Sequence, residues 1–230
     1  MEHYIEKEIN GEKYLIKNPE WAKFQQSAKE EYDLKSANLP IHVKGLSLND
    51  YVSSDRVIPR KLSIYISEFN NKFKNIHLYF WSHENGTQKT TTAAIVGNQL
   101  LKLGNTVKFI SMGDLIKQLQ SEQFDEELSS SIDIYKTCDF LIIDDAFDKR
   151  KATMYKSGWQ ISFLDQFLRY RLETVRLATC FTSNFSISEI DENSFGTSIK
   201  KLIERSIPDP FNFTSLYQNR NQFNPEDLWS

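Results

Sequence analysis

The stretch NIHLYFWSHENGTQKTTTAAIVGNQLLKL, residues 75–103, predicts a strand, a polar loop and a helix in direct succession. Its first part, residues 75–82, is a nearly continuous run of aromatic and β-branched side chains, which suits a strand covered on both faces. Its last part, residues 90–103, has the composition and length of a helix. A strand that runs directly into a helix is the repeating unit of a parallel α/β sheet.

The loop between strand and helix has features of a phosphate-binding turn. Such a loop needs a backbone-exposing turn, a lysine for the phosphates and a hydroxyl for magnesium, and Gly86, Lys89 and Thr90 fit these roles. In the pattern G-x-x-x-x-G-K-[ST], however, His83 and Gln88 stand where the two glycines belong. An ordinary polar turn therefore stays open as an alternative. The candidate binding segment is Asn85, Gly86, Thr87, Gln88, Lys89, Thr90 and Thr91.

Two later strands also end in polar side chains. FLIIDD, residues 140–145, places Asp144 and Asp145 after a buried apolar run. A nucleoside triphosphatase needs one acid to hold magnesium through water and a second acid to polarise the attacking water. Asn184 ends the run ATCFTSN and could reach a γ phosphate or that water. The loop, the acids and the amide occur in the order that this chemistry requires.

Strands and helices alternate through the rest of the chain, which predicts an α/β fold with a parallel five-stranded sheet flanked by helices. Ligands are then expected at the carboxyl ends of the strands. The predicted strands cover residues 75–82, 106–111, 140–147, 178–184 and 211–216. The predicted helices between them cover residues 90–103, 112–124, 159–175 and 196–206.

The first 37 residues differ from the rest. IEKEINGEKYLI alternates apolar and polar residues around Asn10 and Gly11, which predicts a hairpin. A polar helix follows, capped by Asn18 and opened by Pro19. We expect two units, an arm or docking module over 1–37 and a core over 38–230; a loose extension is the alternative for the arm.

Composition excludes several classes of protein. The 230 residues carry 28 basic and 31 acidic side chains, so the whole surface is not a polyanion binder. Two cysteines, Cys138 and Cys180, are too few for a disulfide framework or a zinc module. No apolar run approaches the roughly 20 residues of a membrane helix, and the acidic N-terminus lacks a signal-peptide core. We therefore expect a cytoplasmic protein without membrane contact.

The segments GTQKT, LIIDD, LDQFLRYRLE and CFTSN resemble the core of AAA+ ATPases of the DnaC and DnaI type, the helicase loaders of bacteria and phages, and their IstB-type relatives. The resemblance spans about residues 38–220. It implies the P-loop fold of an AAA+ ATPase, with Lys89 and Thr90 as Walker A, Asp144 and Asp145 as Walker B, and Asn184 as sensor 1. ATP and Mg²⁺ are the implied cofactors, with Thr90 and Asp144 on the metal.

The resemblance also implies an arginine finger, for which Arg205 is the candidate, and a second nucleotide-binding arginine, for which Arg220 is the match. Only 46 residues follow Asn184, so we expect little or no C-terminal lid. The implied partners are a replicative DNA helicase, single-stranded DNA and further copies of the chain in an ATP-dependent homo-oligomer.

The sequence leaves several alternatives open. The changed loop at His83 and Gln88 allows a nucleotide-binding adaptor that does not hydrolyse ATP, and the IstB-type relatives allow a transposition helper. Arg169 and Arg171, with Tyr170 between them, could line a nucleic-acid path, although such a helix is more often a core face. Residues 145–159 could form a loop that touches DNA, or a solvated loop.

Overall fold

The computed structural model describes residues 4–9, 12–50, 57–121, 126–148 and 158–213. The chain begins with an antiparallel hairpin of β1 (Tyr4–Ile9) and β2 (Glu12–Lys17), as the alternating pattern predicts. Helix α1 (Pro19–Ser36) follows, and the Asn18 side chain accepts a hydrogen bond from the Glu20 amide. The sequence predicted both the hairpin and the capped helix.

The core is one sheet of five strands, and every pair of neighbours in it is parallel. The strands are β3 (Leu78–Trp81), β4 (Val107–Ser111), β5 (Phe140–Asp144), β6 (Ala178–Ser183) and β7 (Phe211–Asn212). Their order across the sheet is β4-β5-β6-β3-β7. The predicted parallel five-stranded sheet is therefore confirmed, and β3, which precedes the glycine-poor loop, lies between β6 and β7.

Helices cover both faces of this sheet. They are α2 (Val57–Ser67), α3 (Lys89–Lys102), α4 (Met112–Ser121), α5 (Glu126–Thr137), α6 (Gly158–Arg169), α7 (Glu192–Phe195) and α8 (Thr197–Ser206). Short 3₁₀ turns span Ile41–Val43, Leu48–Asp50 and Ile187–Glu189, and π turns span Phe69–Phe73 and Tyr170–Thr174. The sequence predicted α3, α4, α6 and α8 but missed α2, α5 and the single turn of α7.

Successive residues of the strands pack into two separate cores, one on each face. In β3, Leu78 and Phe80 face the layer that contains α2 and α3, whereas Tyr79 faces the layer that contains α4, α6 and α8. This alternation is the period of two expected of a strand buried on both sides. Because helices cover both faces of the sheet, a ligand of the sheet is expected at the strand ends.

Helix α3 approaches the sheet closely at Gly97. A Cβ atom on Gly97 would lie 3.0 Å from Ile142 Cδ1 and 3.2 Å from Val107 Cγ1. Such distances are too short for a side chain to fit without displacing its neighbours. Glycine at this position lets α3 lie directly on β4 and β5, with its N-terminus at the end of β3.

The C-terminal end of α1 is part of the packed core. Leu34 and Ala37 are buried together with residues of α2 and α3. The Phe109 amide of β4 donates a 2.8 Å hydrogen bond to the Ala37 carbonyl. Residues near 37 thus connect the N-terminal hairpin and helix to the sheet.

The strands are slightly shorter than predicted, and residues 214–216 of the fifth predicted strand lie outside the described residues. Within the described ranges, no helix is long and apolar enough to cross a membrane. Cys180 is fully buried in β6 and acts as a small apolar side chain, as expected. Cys138 is also buried, and both thiols are free.

Candidate functional site

A cavity of about 260 Å³ lies at the carboxyl ends of β3, β5 and β6. This is the edge of a parallel sheet where ligands are expected. The cavity is lined by Asn85, Gly86, Thr87, Gln88, Lys89, Thr90, Thr91, Asp144, Asp145, Thr182, Ser183 and Asn184. The structure therefore brings the predicted loop, the two acids and the strand-end amide together in one place.

Lys89 begins α3 and is 8% exposed. Its Nζ donates hydrogen bonds to the carbonyls of Ser82 (3.4 Å) and Glu84 (3.1 Å) and to Thr87 Oγ1 (3.2 Å). Burial lowers the pKa of Lys89, and the charges of Asp145 and Asp144 act in the opposite direction. The loop thus holds a cationic group at the N-terminus of a helix, where an anion is favoured.

The Thr90 hydroxyl donates a 2.7 Å hydrogen bond to Asp144 Oδ1 across 54 residues of sequence. This contact links the first turn of α3, which follows β3, to the end of β5. In the sheet, β5 lies two strands away from β3. Hydroxyl and carboxylate oxygens are ligands that Mg²⁺ prefers, so the donor set fits this ion. In the described parts of the chain no group of three or more His, Cys, Asp or Glu residues could hold a metal by itself. A Mg²⁺ ion here would also need oxygen atoms from a bound phosphate.

The turn after β5 adopts an unusual backbone conformation. Asp145 has φ of 56° and Phe147 has φ of 60°, both in the left-handed region. Such angles cost free energy for residues other than glycine and are often found at functional sites. The turn directs Asp145 into the cavity, where Asn184 follows the neighbouring strand β6. Both residues therefore lie in the cavity lining at the ends of neighbouring strands.

His83 and Gln88, which stand where the loop pattern has glycine, differ in backbone conformation. Gln88 has φ of 67° and ψ of 13°, a left-handed conformation that glycine adopts more easily. His83 is absent from the described residues with positive φ, and its side chain is 59% exposed and 3.6 Å from Glu189 Oε2. The backbone therefore accepts a histidine at the first position, whereas Gln88 carries the strain.

Thr182 and Ser183 also line the cavity, although no role was predicted for either residue. Thr182 contacts Asp144, and the Ser183 hydroxyl donates to the Ala146 carbonyl at 2.8 Å. The parallel register pairs Ile143 with Phe181, so the next residues, Asp144 and Thr182, are neighbours at the strand ends. Thr182 could have been identified from this register, because it places the residue opposite Asp144 at the same edge of the sheet.

Arg205 does not line the cavity. It lies in the last turn of α8, where its guanidinium is paired with Glu173 and its side chain is 54% exposed. The structure therefore separates Arg205 from the loop of its own chain. Arg220, the second predicted arginine, lies outside the described residues.

The suggestion that Arg171 lines a nucleic-acid path is wrong, because its side chain is fully buried. Its guanidinium donates to backbone carbonyls of Tyr135 (2.6 Å), Cys138 (3.1 Å) and Ala178 (2.9 Å), and to Thr179 Oγ1 (3.1 Å). Arg171 thus joins the end of α5 to the beginnings of β5 and β6. Residues 149–157 of the suggested DNA loop lie outside the described residues.

The parallel sheet and the lysine-bearing loop before α3 give the chain the P-loop fold of AAA+ proteins. The chain belongs to the family of IstB-like ATP-binding proteins, whose model matches residues 14–193. The resemblance predicted from the loop and strand motifs is therefore confirmed. The match begins within β2 and ends at residue 193, so it includes helix α1 and strands β3 to β6 but neither α8 nor β7.

Several solved structures share the fold. The DnaC helicase loader has a TM-score of 0.64 at 18% identity, and the alignment covers 76% of this chain and 99% of that one. DnaI has a TM-score of 0.61 at 22% identity, with coverage of 76% and 95%. The replication initiator DnaA bound to AMPPCP and single-stranded DNA has a TM-score of 0.58 at 16% identity, with coverage of 73% and 49%. No curated protein matches the sequence at a significant level.

Proposed function

We propose that this protein is an ATPase that loads a replicative DNA helicase, and that ATP binding and hydrolysis control its contacts with the helicase and with single-stranded DNA. Membership in a family of ATP-binding proteins supports ATP as the ligand of this site. The likeness in fold to a DnaC helicase loader, to DnaI and to DnaA supports a task in DNA replication. The two free cysteines agree with the reducing cytoplasm, where we place the protein.

The observation that carries this proposal is the meeting of Lys89, Thr90, Asp144, Asp145 and Asn184 in one cavity. In this arrangement Lys89 binds the β and γ phosphates, and the amides at the start of α3 add hydrogen bonds to them. Thr90 and Asp144 hold Mg²⁺, which supplies positive charge to the phosphates when it is bound. Asp145 orients the attacking water, and Asn184 contacts that water or the γ phosphate.

Arg205 is proposed to act on the nucleotide of a neighbouring subunit. Its distance from its own cavity and its position on an exposed helix end support this role. An exposed ion pair is weak, so Arg205 can leave Glu173 at little cost when a neighbour docks. Hydrolysis would then require a homo-oligomer, because the finger is supplied across a subunit boundary.

Steady-state ATP turnover with and without single-stranded DNA tests the enzymatic part of the proposal. We expect the wild-type protein to turn over ATP, and Asp145→Asn to lower the rate by at least about 100-fold, since removing the group that positions water leaves binding intact but slows the chemical step. Asp133→Asn, an exposed acid on α5, is the control and should leave the rate unchanged. ATP binding without turnover in the wild type would contradict this part.

That last result would instead favour a nucleotide-binding adaptor that does not hydrolyse ATP. The left-handed backbone of Gln88 is the observation that supports this second candidate, because the strain lies directly before Lys89. The third possibility, a transposition helper, also uses an ATPase. It is separated from a loader by the partner that the protein captures, a transposase or a helicase.

The N-terminal hairpin and α1 are proposed as the arm, residues 1–37, that docks on the helicase. Several large apolar side chains of this segment are exposed: Tyr4 (52%), Tyr14 (45%), Leu15 (73%), Phe24 (62%) and Tyr32 (72%). Four of the five are aromatic, and aromatic side chains are enriched at protein interfaces. The core, residues 38–230, would then carry the nucleotide site.

Removal of residues 1–37 is a poor test of docking, because Leu34 and Ala37 belong to the hydrophobic core. We propose capture of the helicase by full-length protein carrying Leu15→Ser and Phe24→Ser together. The expected result is loss of capture with unchanged ATP binding. Leu103→Ser, a 51% exposed leucine after α3, is the matched control and should not affect capture. Equal capture by the wild type and the double variant would exclude the arm as the docking site.

A further inference from the structure

Thr182 connects the two acids of the cavity. It lies near the end of β6 and is 2% exposed. Its hydroxyl donates a 2.5 Å hydrogen bond to Asp144 Oδ1, and Thr182 Oγ1 itself accepts a 3.1 Å hydrogen bond from the Asp145 amide. One buried hydroxyl therefore contacts the side chain of one acid and the backbone of the next.

The hydrogen-bond directions leave this hydroxyl no freedom to rotate. A threonine hydroxyl has one proton, and here that proton is donated to Asp144 while the Asp145 N–H occupies a lone pair. Asp144 Oδ1 also accepts the Thr90 hydroxyl at 2.7 Å, so two O–H donors fix this oxygen. The orientation of the Asp144 carboxylate, which would help to hold Mg²⁺, is therefore set by two hydroxyl groups of the protein.

The backbone around Asp145 depends on the same residue. Asp145 is in the left-handed region, and such a conformation persists only where the surroundings hold it. Thr182 holds it twice, because its carbonyl accepts a 2.7 Å hydrogen bond from the Ala146 amide in addition to the hydroxyl contact with Asp145. Loss of the Thr182 hydroxyl would therefore free the carboxylate of Asp144 and remove one of the two contacts that hold the turn.

We propose that Thr182 is a positioning residue of the nucleotide site: its buried hydroxyl fixes the orientations of Asp144 and Asp145 together and thereby sets the affinity for Mg²⁺ in the presence of ATP. This inference rests on the proposed nucleotide function, and it gives a role to Thr182, for which the sequence predicted none. Thr182 touches neither phosphate nor water in this scheme and acts through the two acids.

The test is a Mg²⁺ titration of fluorescent ATP-analogue binding to the full chain, which does not require turnover. Thr182→Val keeps the shape of the side chain and removes the hydroxyl. We expect the Mg²⁺ concentration for half-maximal binding to rise roughly 10- to 100-fold, as is typical when a residue that orients a metal-binding group is removed. Thr182→Ser retains the hydroxyl and should behave like the wild type.

Thr179→Val is the matched control. Thr179 lies in the same strand, is fully buried and also uses its hydroxyl, but it contacts Arg171 at the other end of β6. We expect this variant to lose stability without a change in Mg²⁺ dependence, which separates positioning from a general structural effect. If Thr182→Val does not fold, Thr182→Ala compared with Thr182→Ser makes the same comparison.

The inference would be overturned if Thr182→Val needed the same Mg²⁺ concentration for half-maximal binding as the wild type, or if Thr179→Val raised that concentration equally. Either result would leave the nucleotide function intact. Failure of the wild-type protein itself to bind the analogue in Mg²⁺ would overturn the proposed function and this inference with it. A shift confined to the Thr182 variants that lack the hydroxyl would support both.

Discussion

At the scale of single residues, the loop before α3 has the side chains that nucleotide binding needs but an unfavourable backbone conformation at Gln88. Lys89 and Thr90 are in place beside Asp144, but Gln88 adopts a conformation that suits glycine. The sequence predicted this difficulty from the pattern alone. It could not show that His83 is tolerated, because the φ angle at that position becomes known only from the fold.

The strain at Gln88 can be measured by comparing Gln88→Gly with Gln88→Ala. Both variants remove the amide side chain, so they differ only in the Cβ atom. We expect the glycine variant to have a free energy of unfolding about 1 kcal/mol higher, because a left-handed φ disfavours alanine. Denaturant unfolding gives this difference.

Lys201, exposed on α8, provides the control pair. In an ordinary helix the order reverses, and Lys201→Ala should be more stable than Lys201→Gly by about 1 kcal/mol. If Gln88→Ala is also the more stable of its pair, the backbone at residue 88 is not under strain and the loop is closer to an ordinary turn.

At the scale of secondary structure, strong hydrophobic patterns were predictable and tertiary contacts were not. The strands β3 to β6 were evident because each is an apolar run between polar segments. Helix α5 was missed because its EELSSSIDIYKT sequence contains three consecutive serines, which favour helices weakly. Helix α2 contains Pro59 in its first turn, which obscures its beginning. The burial of Arg171 and His77 depends on neighbours distant in sequence.

His77, which precedes β3, couples stability to pH. Burial lowers its pKa from 6.5 to about 4, and the charge of Arg171 contributes to this decrease. The unfolded chain therefore binds a proton below pH 6.5 that the folded protein does not accept until about pH 4. Its contribution to stability is complete above pH 6.5 and is lost as the pH falls from 6.5 toward 4.

We expect the free energy of unfolding of the wild type to fall by about 2 to 3 kcal/mol more than that of His77→Gln between pH 7.5 and pH 4.5, as the size of this pKa change implies. Denaturant unfolding at the two pH values checks this. His42→Gln, at an exposed histidine, should show the wild-type dependence. Equal losses in the wild type and His77→Gln would show that His77 is not held in its neutral form.

At the scale of the whole molecule, the fold and the cavity belong to one chain, whereas complete activity is proposed to need several. Arg205 lies on an exposed helix away from the cavity, and its partner Glu173 also binds Arg169 at 3.1 Å. The family and fold class were predictable because the loop, the acids and the amide occur in the right order. A homo-oligomer is implied by the family resemblance alone, since no contact within one chain defines it.

Mixing two inactive variants tests whether Arg205 acts between subunits. Arg205→Ala keeps an intact nucleotide site, and Asp145→Asn keeps an intact finger. In an equal mixture, about a quarter of the interfaces join the intact nucleotide site of one variant to the intact arginine finger of the other. We therefore expect about a quarter of the wild-type ATP turnover to return. Arg169→Ala, which removes the other arginine from Glu173, should retain activity. A mixture as inactive as its components would contradict action between subunits.

The most direct test of the central claim, that the cavity at the ends of β3, β5 and β6 binds ATP with Mg²⁺, is an equilibrium titration with a fluorescent ATP analogue. We predict saturable binding to the wild type and binding at least about tenfold weaker in Lys89→Ala, because a charge-assisted contact to the phosphates is lost. Lys102→Ala, at the opposite end of the same helix, should bind like the wild type. Undetectable binding to the wild type, or equal affinity in Lys89→Ala, would contradict the assignment of this cavity as the nucleotide site.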